Sequence, residues 1–145
     1  METSIHAAHK MHKVYQVLKL TFGLVPIIAG LDKFTNLLTN WEKYLNPAIA
    51  DMLPFSATTF MMIVGFIEIA AGLLVLAKPA IGAYVVMAWL ACIGFSLLAT
   101  QEYLDVAVRD FVMAIGAYSL GQISRTSAAT NRAVAPNQEM AFSTP

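Results

Sequence analysis

Four apolar runs divide the chain, at about 14–33, 57–77, 80–99 and 106–124, with short polar stretches between them. Each has the length a helix needs to cross a bilayer, since roughly 20 residues at about 1.5 Å per residue cover a ~30 Å hydrocarbon core. The pattern predicts an all-α fold, an integral membrane four-helix bundle over residues 14–124. A polar segment, 1–13, precedes it. The stretch 125–145 is rich in Ser, Thr, Ala, Asn and Pro and lacks periodicity, so it is predicted to be a disordered tail.

The few polar positions inside the runs are not scattered at random. Glu68 sits near the middle of the second run, ATTFMMIVGFIEIAAGLLVLA. An acid at that depth costs about 2.5–3.5 kcal/mol on insertion scales. On a helical wheel Gly65, Glu68 and Gly72 fall within about 60° of each other, with Met62, Phe66 and Leu73 opposite. Small residues admit a neighbouring helix, so Glu68 is expected to face protein. In the first run Lys19, Gly23, Pro26, Gly30 and Lys33 share a face about 80° wide. Pro26 removes a backbone donor and should kink that helix. The two lysines admit two readings, a seam turned inward or side chains snorkelling to opposite surfaces. The fourth run opens on Arg109 and Asp110 and continues the same side with Gly116, Ala117 and Gly121.

Counting rise per residue sets the expected partners. Lys19 lies nearest to Glu68 in depth and is its expected cation, with Arg109 second. Asp32 and Lys33, at the end of helix one, should meet Arg109 and Asp110, at the start of helix four. Without a cation in reach, Glu68 would be neutral and a hydrogen-bond donor, which suits a quinone oxygen or a proton relay. The bland alternative is that these balanced charges only fix helix register.

In the first loop Leu37, Leu38, Trp41, Tyr44 and Leu45 recur at helical spacing before Asn46-Pro47. This predicts a short interfacial helix with Trp41 and Tyr44 at headgroup level; a lid over a site is the alternative. Basic residues gather in the N-terminal segment, the Lys78 turn and the tail, whereas the two other loops are mostly acidic. The positive-inside rule then puts both termini in the cytoplasm.

Composition agrees with a membrane protein. The chain is 58% apolar and 12% charged, against typical values of about 45–50% and about 25%. Net charge is +0 and no basic run exceeds two residues, which gives nucleic-acid binding no footing. The first run is long and no small-x-small cleavage site follows it, so it is expected to stay as a helix. The single Cys92 permits no disulfide within the chain and is expected to be an inert, buried small hydrophobe. His6, His9 and His12 lie before the first predicted span, without acidic or cysteine ligands beside them. Neither a metal site nor haem ligation by paired histidines across the bundle is expected.

The stretches GLVPIIAGLDKF, VGFIEIAAGLLVL and DVAVRDFVMAIGAYSLGQIS together resemble the DoxX-like family of small four-helix membrane proteins. The likeness covers about residues 15–124. It implies a multi-pass protein of the bacterial inner membrane. Some relatives are membrane subunits of thiosulfate:quinone oxidoreductase and others accompany redox or stress-defence enzymes. The expected function is therefore a non-catalytic membrane subunit or accessory of a redox or stress-related system. The alternative is a quinone-interacting membrane subunit of an oxidoreductase. No catalytic residue is assigned. The candidate polar set is Glu68, Lys19, Asp32, Lys33, Arg109 and Asp110, quinone is the one cofactor considered, and the expected partners are lipid, an oxidoreductase subunit and further copies of the chain.

Overall fold

Glycines spaced by seven residues set the geometry of this bundle. The computed structural model describes the backbone of residues 2–142 and the side chains of residues 9–127. Its five helices are α1 (Glu2–Asp32), α2 (Pro47–Ala50), α3 (Ala57–Ala77), α4 (Pro79–Thr100) and α5 (Leu104–Phe142), with a 3-10 turn at Trp41–Tyr44. Helix α1 runs antiparallel to α3, and Gly23 faces Gly72 as Gly30 faces Gly65. A Cβ on Gly30 would lie 2.5 Å from the Gly65 carbonyl oxygen, and one on Gly65 would lie 2.7 Å from that of Gly30. The two backbones therefore touch, as small residues allow in membrane bundles.

Helices α3, α4 and α5 follow as an up-and-down series. Lys78 ends α3, and Pro79 starts α4 at the position where its missing N–H costs nothing. Gly82 then rests against the backbone at Leu74 and Val75, which closes the hairpin tightly. Gln101, in the left-handed region at φ 56, reverses the chain into α5. Helix α5 lies along α4, and Phe111 and Tyr84 fill the notches over Gly94 and Gly121. Helix α1 touches α5 more lightly, where Phe22 sits over Gly116. Phe22, Ala71, Val75, Ala83, Val86, Ala117 and Leu120 form a packed core in the half of the bundle nearer the termini.

Among the described residues, three helical stretches are long and apolar enough to cross a membrane: His9–Asp32, Ala57–Ala77 and Pro79–Thr100. Large apolar side chains such as Val17, Phe66, Leu73 and Ile115 are exposed on the outside of the bundle, at 54–66% of their surface. That inversion is what lipid requires. Helix α5 carries Arg109, Asp110 and Gln122 within its apolar run and falls short on composition.

Four expectations change. The first helix starts at Glu2, not at about 14, so His9 and His12 lie inside α1 and within its apolar stretch. The stretch expected to be a disordered tail continues α5 as helix to Phe142, as its alanines allow; its side chains beyond residue 127, like that of His6, lie outside the described ones. Cys92 is exposed on the side of α4 and is not a core residue. The first loop holds two single turns in place of one amphipathic helix. Asn side chains explain this, since Asn40 caps the 3-10 turn through the Glu42 N–H and Asn46 caps α2 through the Ala48 N–H. Each cap starts a new turn and so ends the previous one.

Candidate functional site

The glycine contacts decide which charges meet. With Gly30 against Gly65, the residue just beyond α1 falls beside the same turn of α3. The Lys33 side chain then runs about one further turn inward along α3, and its Nζ reaches Glu68 Oε2 at 2.6 Å. Both side chains are nearly sealed, at 4% and 9% exposed. Glu68 thus faces the interior, as its wheel position requires, but its partner is Lys33. By the same register Lys19 lies near Leu76, about 12 Å along α3 from Glu68, and makes no ion pair among the described residues.

Lys33 has a second neighbour. Its ammonium lies 3.6 Å from the centre of the Trp41 ring, well inside the range where a cation is attracted to an aromatic face. Trp41 is held there by its own indole N–H, which donates to Asp32 Oδ2 at 2.7 Å. Asp32 is buried and acts as a backbone acceptor, taking the N–H groups of Leu37 and Leu38. It is not paired with Arg109.

The expected meeting of Asp32 and Lys33 with Arg109 and Asp110 is therefore only partly realised. Lys33, Arg109 and Asp110 border one cavity. No ion pair within 4.0 Å joins the two helix ends among the described residues. Arg109 pairs with its own neighbour Asp110 at 3.6 Å and keeps 63% of its side chain exposed, whereas Asp110 is buried. Asp32 finds closer satisfaction in backbone N–H groups, which removes it from the charge network.

The cavity has a volume of about 480 Å³ and lies in the half of the bundle away from the termini. Its walls are apolar: Phe22 and Val25 on α1, Val64 and Ala71 on α3, Val86 and Leu90 on α4 and Met113 on α5 all border it. Its roof is the first loop, through Trp41, Tyr44 and Leu45. Two further contacts fasten that roof. Glu42 accepts from the Thr58 hydroxyl at 2.6 Å, and Tyr44 meets Tyr103 edge-on at 4.8 Å between ring centres. The loop thus closes one end of the cavity through these side chains.

Trp89 adds a group that sequence reading passed over. It borders the cavity, and its buried Nε1 faces the Glu68 carboxylate from outside ordinary hydrogen-bond geometry. An indole N–H is a donor only, so its electrostatic partner here is that carboxylate. The site therefore presents an ammonium, a carboxylate and an indole N–H around one end of an apolar space. That arrangement suits a ligand with an oxygen-bearing head and an apolar body. Among the described residues no cluster of His, Cys, Asp and Glu could hold a metal ion. Compared with protein-family models, with curated protein sequences and with solved structures, the chain finds no match.

Proposed function

We propose that this multi-spanning membrane protein binds a quinone in the cavity between its helices and serves as the quinone-interacting membrane subunit of a redox system. The observation that supports this most directly is the buried Lys33–Glu68 pair beside an apolar space of about 480 Å³. A quinone ring is apolar on its faces and bears carbonyl oxygens at its edge. Lys33 has three N–H donors; one serves Glu68 and another can serve a carbonyl oxygen. Glu68 can accept from the hydroxyl of the reduced form. The electrons would come from a partner subunit. The resemblance to DoxX-like proteins points the same way, and with it come a bacterial inner-membrane location and a fourth spanning helix in α5. Cytoplasmic termini follow from the basic residues on that side. In the runner-up reading, a non-catalytic accessory role, the cavity would hold no quinone.

The chain has only two tryptophans, Trp41 and Trp89, and both border the cavity. Adding a short-chain quinone to the purified protein is expected to quench their fluorescence saturably. Glu68→Gln should weaken binding of the reduced form, whose hydroxyl Glu68 accepts, about tenfold, a loss of about 1.4 kcal/mol. Quenching that rises linearly without saturation, and is unchanged in the variant, would eliminate the quinone reading and leave the accessory role.

A further inference from the structure

We propose that residues 33–40 form a re-entrant turn inside the bilayer, with Leu37 and Leu38 against acyl chains and the Asp32 carboxylate as the internal cap that makes this possible. The proposal rests on membrane embedding alone and is independent of any ligand in the cavity.

Depth is the first observation. The contact of Gly30 with Gly65 stops α1 well below the loop end of α3. Phe34, already past the end of α1, packs edge-on against Phe66 with 5.0 Å between ring centres. By the Gly30–Gly65 register the Phe34 backbone lies opposite about residue 61, about 6 Å along α3 from its first residue, Ala57, and its ring reaches further inward. The chain regains the loop end of α3 only at Glu42, through the bond from Thr58. Residues 34–41 must therefore climb through the depth that the first turns of α3 occupy.

Backbone satisfaction is the second. Irregular backbone at that depth is tolerable only if its polar groups find partners within the protein. Every N–H from 33 to 38 does so within the last turn of α1. Lys33 donates to the Ala29 carbonyl and Phe34 to that of Leu31. Thr35 and Asn36 both donate to the Asp32 carbonyl, at 3.0 and 2.7 Å. Leu37 and Leu38 donate to the Asp32 side chain, at 2.9 and 3.1 Å. Asn36, in the left-handed region at φ 51, supplies the reversal. Asp32 is 6% exposed, so this carboxylate is given over to capping. A loop in water has no need of such pairing of its N–H groups, because water would supply it.

Exposure is the third. Leu37 and Leu38 are 84% and 71% exposed, adjacent, and project from a segment whose own N–H groups are already paired. Apolar side chains presented below the loop end of α3 by a segment whose N–H groups are paired fit hydrocarbon.

Site-directed spin labels test this in proteoliposomes, on a Cys92→Ala background. Labels go on Leu38→Cys, on Phe66→Cys as a deep reference and on Met52→Cys as a reference in the α2 segment, where Met52 is 86% exposed. The ratio of collisions with oxygen to collisions with a water-soluble nickel chelate is expected to place Leu38 below Phe66 and several-fold above Met52. A Leu38 ratio equal to that of Met52 would overturn the proposal. So would a label shielded from both reagents, which would mean a protein contact in place of lipid. Asp32→Asn should move Leu38 toward the Met52 value and leave Phe66 unchanged. Asp32→Glu, which displaces the oxygens by one methylene, gives a second reading of the same shift. If neither variant moves Leu38, Asp32 is not the cap.

Discussion

Lys33→Met is expected to destabilise the folded protein by about 3–5 kcal/mol, the usual cost of leaving one member of a buried ion pair alone. The substitution removes the 2.6 Å partner of Glu68 and the cation over Trp41 together. Combining it with Glu68→Leu should recover most of the loss, because two apolar side chains of similar volume often replace a buried pair at little cost. Glu68→Gln should be milder than Lys33→Met. Lys33 would keep the Trp41 ring, and the amide oxygen would still accept a hydrogen bond. Denaturant unfolding in detergent micelles gives the order. A single Lys33→Met variant as stable as the double variant would show that the pair is not buried as described.

The same pair explains how the cavity and its cover are coupled. Lys33 touches Glu68 at the cavity wall and Trp41 in the roof, so one side chain holds both. Trp41 is tied in turn to Asp32, the residue adjacent to Lys33. Two consecutive residues at the end of α1 therefore fix the acid, the roof and the turn between them. Loss of either should be felt at all three places, which separates them from Lys19 and Arg109, whose side chains are partly or largely in the open.

Much of the architecture is legible from apolar periodicity. The second apolar run coincides with α3, the third lies within one residue of α4 at each end, and the wheel that grouped Gly65, Glu68 and Gly72 put Glu68 inside. The partners of the charges are not legible from depth counted separately along each helix, because the helices do not begin at one plane. Gly23 and Gly30 are spaced as Gly65 and Gly72 are, and matching these pairs antiparallel brings Lys33 to Glu68 and takes Lys19 away. That signal lay in the sequence. The role of Asp32 did not, since an acid beside a lysine at a helix end reads as a surface charge until the loop folds back over it. Trp89 was likewise hidden, because an aromatic on an apolar helix gives no sign of which way its N–H points.

The glycine register supports all of this, and Gly65→Val tests it. A Cβ at Gly65 meets the Gly30 carbonyl oxygen at 2.7 Å, Phe34 at 3.1 Å and Lys33 at 3.2 Å. The first of these is backbone and cannot turn aside. Overpacking a well-filled contact costs about 1–3 kcal/mol, and backbone against backbone puts this variant at the upper end. Helices α1 and α3 must separate, which lengthens the Lys33–Glu68 contact and loosens the turn after α1. Gly94→Ala is the control. Its Cβ meets only the Phe111 ring, at 3.0–3.2 Å, and Phe111 is a partly exposed side chain that can tilt. Thermal unfolding in micelles should therefore show a clear fall in midpoint for Gly65→Val and a small one for Gly94→Ala. The Trp41 emission should also shift in Gly65→Val alone, because only that variant disturbs the cation above its ring. Equal midpoints for the two variants would mean that α1 and α3 do not touch at these glycines, and the pairing of Lys33 with Glu68 would lose its geometric basis.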